Sequence, residues 1–154
     1  CRRYGDEVNV VVLVDFHNDS VADAVAVADE LGDKLWGVRL DTSERLVDES
    51  LAEEVAERGE EGLRGVNVEL VRKVRAALDE AGHGHVKIVV SGGFTAEKIE
   101  GFEEAGAPVD SYGVGSALLR GSFDFTADIV CFEGEPGAKV GRELHPNPRL
   151  QPVA

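Results

Sequence analysis

Four short apolar runs, each closed by a polar residue or a glycine, constrain this chain more than any other feature. The first, Val8-Asn9-Val10-Val11-Val12-Leu13-Val14, ends at Asp15. A continuous β-branched run of this kind suits a strand covered on both faces, so it predicts a central buried strand. Val21, Ala24, Val25, Ala28 and Leu31 then recur at helical spacing. Asn18 or Asp19 can cap that helix, and Gly32 suits its end. Leu35-Trp36-Gly37-Val38-Arg39-Leu40 is the second strand, ending at Asp41-Thr42-Ser43. The charged, Gly-interrupted stretch from Glu44 to Gly65 reads as a short helix followed by a mobile, solvated loop. Val68, Val71, Val74, Leu78 and Ala81 form a helical stripe that Gly82 closes. Val86 to Val90 is the third strand, followed by Ser91-Gly92-Gly93-Phe94-Thr95 and a helix from Ala96 to Ala105 with Thr95 as its cap. Asp110 to Val114 holds the fourth strand.

Strand followed by helix, four times over, implies parallel pairing, because each crossover is long enough to return the chain to the same edge. The fold class is therefore α/β, part of a TIM-like (β/α) barrel of about four βα units. After Gly121 the pattern changes. Ala127 to Phe132 and Ala138 to Gly141 read as short strands around Glu133-Gly134-Glu135-Pro136-Gly137, a hairpin-like tail that ends in Pro146-Asn147-Pro148. Residues 1–121 are assigned to the barrel portion and 122–154 to a β-rich tail of a second layer or domain.

The 154 residues are enough for one core, and 43% are hydrophobic. No apolar run reaches the length of a membrane span, which predicts no membrane partner. The formal net charge of −14 argues against a nucleic-acid surface, which needs a basic patch. Cys1 and Cys131 are far apart and lack metal-ligand spacing, so a reduced, cytoplasmic protein with Cys131 in the core is expected. The chain holds no methionine and starts at Cys1-Arg2-Arg3, which reads as a piece of a longer polypeptide.

The strand ends carry the chemistry. Ser91-Gly92-Gly93 and Gly113-Val114-Gly115-Ser116 put glycines and free backbone N–H groups at two neighbouring strand ends, each before a helix start. That is a recipe for an anion site, most often phosphate. In parallel barrels such sites recur after the last two strands. Asp15 and Asp41 end the other two strands, with Arg39 two residues before Asp41. Carboxylates beside a phosphate repel it unless magnesium or sugar hydroxyls bridge them. A sugar phosphate, with pyrophosphate and Mg²⁺, satisfies both. The plainer readings are turn caps for Asp15 and Asp41, and a structural ion pair of Arg39 with either. His17 is an acid or base, or a loop histidine; His83, His85 and His145 have no spacing that suggests a metal or a triad.

Trp36-Gly37-Val38-Arg39-Leu40-Asp41-Thr42, Lys87 to Gly93, Pro108 to Ser116 and Ala138-Lys139-Val140-Gly141-Arg142 together resemble the C-terminal half of the nicotinate phosphoribosyltransferases, from about Val8 to Leu150. The resemblance implies transfer of phosphoribosyl from phosphoribosyl pyrophosphate to nicotinate, giving nicotinate mononucleotide and pyrophosphate in NAD biosynthesis. It also implies Mg²⁺ with the pyrophosphate substrate and ATP as co-substrate of the complete enzyme. By position, Asp41 resembles the ribose-hydroxyl carboxylate, Arg39 a residue of the same pocket, and Asp15 the acidic residue near magnesium, reached through water. Ser91, Gly92, Gly93, Gly113, Gly115 and Ser116 resemble the 5′-phosphate cradle. Thr42-Ser43-Glu44 departs from the family's Ser-Gly-Asp, and Phe16 stands where a small hydroxyl residue is usual. The family's phosphorylatable histidine and N-terminal domain precede the matched segment. A homo-oligomer, or completion by the N-terminal portion, is the implied assembly. Two alternatives remain: a quinolinate phosphoribosyltransferase with the same fold and phosphate turn, and a non-catalytic phosphate-binding segment.

Overall fold

A computed structural model describes residues 7–120 and 127–142, with His145 and Pro148. The segments at 1–6 and 121–126, and most of the tail beyond Arg142, lie outside the described residues, and the expectations for Cys1 and Pro146-Asn147 fall there. The chain divides into two compact units, residues 1–120 and 121–154.

The first unit is an α/β fold whose parallel sheet runs in the order β1 (Val10–Leu13), β2 (Leu35–Leu40), β3 (Lys87–Val90) and β4 (Ser111–Tyr112). Helix α1 (Ser20–Leu31) joins β1 to β2. The short α2 (Ala52–Arg58) and then α3 (Val68–Glu80) join β2 to β3, and α4 (Ala96–Glu104) joins β3 to β4. Four parallel strands with helical crossovers are consistent with a partial TIM-like barrel. In the second unit β5 (Cys131–Phe132) and β6 (Glu135–Pro136) pair antiparallel as a short hairpin. Glu133 and Gly134 turn it, both at positive φ. The second hairpin strand thus falls at 135–136, earlier than the expected 138–141, because the turn takes two residues rather than five.

Helices α1, α3 and α4 start where a short polar side chain can take an orphan N–H, whereas α2 follows Leu51, which gives no side-chain cap. Asp19 accepts from the Ala22 N–H, Asn67 from Leu70 and Thr95 from Lys98. Asn18 instead takes a left-handed φ of 59° and donates from its side chain to the Val47 carbonyl. Gly32 and Gly59 end α1 and α2 at positive φ.

Burial is one-sided. Val12, Val38 and Ile88 lie in one row across the sheet, and Leu40 and Val90 in the next. They pack beneath Ala24 and Ala28 of α1 and Leu70, Val71, Val74 and Leu78 of α3. Alanines let α1 approach the sheet closely, and the aliphatic stripe of α3 fills the remainder. Phe94, Phe102 and Tyr112 close the α4 side as a cluster of tilted and edge-on rings. The alternate rows face outward: Val11 is 42% and Leu13 45% exposed. The run at Val8 to Val14 therefore forms an edge strand with one open face, where a central buried strand was expected. Its unbroken apolar character hides the alternation, since both faces of a barrel strand are apolar. β2 carries a bulge: Val10 pairs with Leu35 and Val11 with Gly37, passing over Trp36. At Gly37 a Cβ would stand 2.8 Å from the Lys87 carbonyl oxygen, so no other residue fits there without moving β3.

The segment from Glu44 to Gly65 is better anchored than its charge predicts. Leu51 and Leu63, with the adjoining Val66, join the core, and Val47 and Arg64 form an antiparallel bridge. Its anchor is Asp48, whose carboxylate is buried at 1% exposure. It accepts from the backbone N–H and hydroxyl of Ser20 and from the N–H and hydroxyl of Ser50. Those bonds tie the start of α1 to the segment after β2. Among the described residues no helix is long and apolar enough to cross a membrane. Cys131, expected in the core, is a free, exposed thiol: its strand pairs only with β6, and nothing in this hairpin covers it.

Asp48→Ala strands two hydroxyls and two N–H groups, so it will destabilise the fold by about 2–4 kcal/mol, read as a lower urea midpoint with an unchanged slope.

Candidate functional site

Parallel strands end at one level, and so do the polar residues that close them. Strand β3 ends in Ser91, whose N–H donates to the Leu40 carbonyl at 2.8 Å and whose hydroxyl donates to the same oxygen at 3.2 Å. That double hold fixes where the following turn leaves the sheet. Gly92 and Gly93 then take φ of 89° and 75°, a left-handed pair that glycine adopts freely. Among the described residues, the N–H groups of Gly92, Gly93, Phe94 and Thr95 meet no acceptor. They precede α4, so the helix dipole adds to their partial positive charge. A Cβ at Gly92 would stand 2.9 Å from Asp41 Oδ1, and one at Gly93 would stand 3.0 Å from Glu44 Oε1. The glycines are what allow the loop after β2 to lie against this turn.

The result is an open cleft of about 570 Å³. Asp41, Gly92 and Gly93 line it with Thr42, Ser43, Glu44, Arg45, Thr95, Lys98 and Arg120. Thr42 is 2% exposed, and its hydroxyl has no hydrogen-bond partner among the described residues. Lys98 is half-buried, with its ammonium 4.6 Å from the centre of the Phe94 ring. Burial pulls the Lys98 pKa down from its ordinary value, and the Glu44 carboxylate partly offsets this.

The other expected site residues stand around the cleft without lining it. Gly113 packs on the back of the first turn: a Cβ there would meet the Ser91 Cβ at 3.0 Å, and its N–H donates to the Val90 carbonyl. Gly115 and Ser116 lead into a single 3-10 turn, Ser116–Leu119, rather than an α-helix. Four residues align few peptide dipoles, so the second turn lacks the electrostatic help available at the first. The two strand ends are thus unequal, where two equivalent anion turns were expected.

Asp15 follows β1, and its Oδ1 is buried with no hydrogen-bond partner among the described residues. Desolvation raises its pKa; the nearby Asp41 and Asp48 carboxylates add to this, while its own backbone N–H and Arg39 oppose it. Arg39 shares an outward row with Leu13 and Val89. Among the described residues it forms no ion pair with Asp15 or Asp41, so its positive field reaches Asp15 without direct contact. His17 pairs with Asp23 of α1 at 2.9 Å, and His83 with Asp29 at 2.7 Å. Both are surface pairs away from the cleft lining. Asp15 and Asp41 can offer oxygen ligands to a magnesium ion that keeps most of its shell from phosphates and water. Among the described residues no three or more acidic, His or Cys side chains group into a metal site.

Thr42, Glu44, Lys98 and Arg120 escape the sequence reading. Lys98 had one available signal: it lies three residues after the Thr95 cap, on the turn of α4 nearest the glycines.

No family model matches the chain. Nicotinate phosphoribosyltransferase pncB1 of Mycobacterium tuberculosis, in two strains, is 36% identical over 121 residues, which are 77% of this chain and 21% of that protein. The chain thus spans about a fifth of the length of the curated relatives it matches. A crystal structure titled nicotinate-nucleotide pyrophosphorylase from Pyrococcus furiosus is 37% identical, with a TM-score of 0.56, and covers 91% of this chain and 32% of that one.

Asp15 gives a pH test of the geometry. A carboxyl whose folded pKa lies above its unfolded value of about 3.8 contributes stability below that value and loses it as pH rises through the folded pKa. Asp15→Asn will therefore raise the thermal midpoint at pH 7, and the gain will shrink as pH falls toward 4 and below. An equal gain at every pH would contradict the burial of Asp15.

Proposed function

Over the residues it shares with its relatives the chain belongs to the nicotinate phosphoribosyltransferase family, and on that premise we propose that its cleft holds the ribose 5-phosphate end of a phosphoribosyl-transfer site. The acceptor is a pyridine carboxylate of NAD biosynthesis. The observation that carries the reading is the run of N–H groups from Gly92 to Thr95 that meet no acceptor among the described residues, in a turn whose Gly92, Gly93 and Thr95 line a cleft together with Asp41.

In this reading the 5′-phosphate oxygens accept from the backbone N–H groups of the Gly92-Gly93 turn. A ribose hydroxyl donates to the Asp41 carboxylate, which sets the ring's orientation. As the bond to the leaving pyrophosphate lengthens, the sugar carbon takes on oxocarbenium character, and the fixed negative charges of Asp41 and Asp15 favour that charge. Arg39, in register with Leu13 and Val89, is the cation this reading assigns to the departing anionic oxygens. Mg²⁺ with pyrophosphate is the proposed ion, and it supplies neutralisation of the leaving group's charge. Gly113, Gly115 and Ser116 support the phosphate turn. ATP coupling, a cytoplasmic setting and completion of the barrel by further chain or by a second copy belong to the same proposal.

Two features bear on the acceptor and on turnover. The pyrophosphorylase covers more of this chain than the phosphoribosyltransferase does, so nicotinate and quinolinate are both admitted as acceptors. The chain spans only 21% and 32% of these relatives, which favours a second reading, a segment that binds phosphate without turning over alone.

Incubation with phosphoribosyl pyrophosphate, Mg²⁺ and either acid separates the readings. Nicotinate mononucleotide from nicotinate supports the first acceptor; the same product with release of carbon dioxide from quinolinate supports the other. Ribose 5-phosphate binding without product supports the phosphate-binding segment, and neither binding nor product rejects the proposal. Where turnover is seen, Asp41→Ala will cut it about a hundredfold or more with the fold intact.

A further inference from the structure

We propose that Lys98 is a phosphate-contacting residue of this cleft, and that Glu44 is the resident anion that an arriving phosphate displaces. The inference rests on the ribose-phosphate reading of the Gly92-Gly93 turn and assigns the side-chain charges that reading leaves open.

Lys98 lines the cleft together with Gly92, Gly93 and Thr95. Its backbone N–H is already taken by the Thr95 hydroxyl at 3.3 Å, so the residue's position on α4 is fixed by the cap. Its ammonium lies over the Phe94 ring, 4.6 Å from the ring centre, and Phe94 is itself 1% exposed. A lysine held this way has lost much of the rotamer freedom that makes surface lysines weak ligands. Among the described residues its ammonium has neither an ion pair nor a hydrogen bond within range. A half-buried, unpaired cation is unfavourable, as the downward pull on its pKa reflects. An incoming phosphate dianion relieves that cost, and Lys98 supplies a point charge that backbone N–H groups cannot.

Glu44 works in the opposite sense. Its Oε1 comes within 3.0 Å of the Cβ position at Gly93, so a carboxylate overhangs the donors that would hold the phosphate. Its charge is also the one opposing the desolvation of Lys98. The same two side chains line the neighbouring cleft, where Arg58 and Arg64 stand. Those arginines are already engaged, Arg58 by Glu69 and Arg64 by Glu60, so what lets Glu44 move aside for a phosphate is its own exposure to solvent. The buried, unpartnered Thr42 hydroxyl beside it is a second independent sign that this cleft is built for a polar occupant.

The test titrates ribose 5-phosphate, with ribose as the unphosphorylated control, into the 154-residue chain, reading backbone amide resonances and calorimetric Kd. In the wild type the amide signals of Gly92, Gly93 and Thr95 will move with ribose 5-phosphate and not with ribose. Lys98→Met keeps an unbranched apolar side chain and removes the charge; its Kd will rise about tenfold or more, while Lys98→Arg stays within a few-fold of wild type. Glu44→Gln will lower Kd several-fold, an opposite sign that a merely damaged fold would not give. In the wild type the Lys98 side-chain resonance will titrate at higher pH when ribose 5-phosphate is saturating. A wild-type Kd in Lys98→Met, with the Gly92 and Gly93 shifts retained, overturns the role of Lys98 and leaves the phosphate site standing. No shift in the wild type overturns both. An unmoved Lys98 titration overturns the contact even if a variant fails to fold.

Discussion

Everything in the first unit depends on covering one face of a parallel sheet. The rows Val12–Val38–Ile88 and Leu40–Val90 are the surface on which α1 and α3 rest. Each parallel strand must be returned to its starting edge by a crossover, and each crossover helix must bury an apolar stripe. Those two demands set the positions of all four strand ends. They leave Asp15, Asp41, Ser91 and Gly113 at one edge of the sheet without any direct interaction having to gather them. The candidate site is thus a by-product of how the core is covered, and its residues are free to be chosen for chemistry.

The strands, the helices and the edge that carries polar residues were readable because period and chain end agree. Ala24, Ala28, Val71, Val74 and Leu78 recur at helical spacing and are all buried. Thr95 stands where a cap should and does accept a helix N–H. What was not readable has two physical causes. Val11 and Leu13 are as apolar as Val12, so composition alone could not say that one face lies open. Asp48 looks like any surface acid in a charged stretch, yet its four hydrogen-bond donors belong to residues 28 and two positions away. Long-range satisfaction of a buried carboxylate leaves no local periodicity.

The site shows the same division. Backbone chemistry was legible, since only glycine accommodates φ near 80° and the close carboxylates at Gly92 and Gly93. Side-chain charge was not. Lys98 reads as one more solvated position on a helix until the Phe94 ring is seen beneath it. Gly113-Val114-Gly115-Ser116 resembles the first turn in composition but leads into a short 3-10 turn, so equal sequence does not yield equal electrostatics. With a net charge of −14 overall, a small cluster of cations and oriented N–H groups is what distinguishes this cleft from the rest of an acidic surface.

The bulge that passes over Trp36 has a practical side. Trp36 is the chain's sole tryptophan, and at 36% exposed it stands on β2 among outward-facing rows. An indole in that setting is an emission probe already in place. Its fluorescence maximum and quenching by iodide report the polarity of the uncovered side of the sheet, with no label and no competing signal from another tryptophan. The irregularity in the ladder therefore gives the protein an optical readout of whatever comes to rest on that surface.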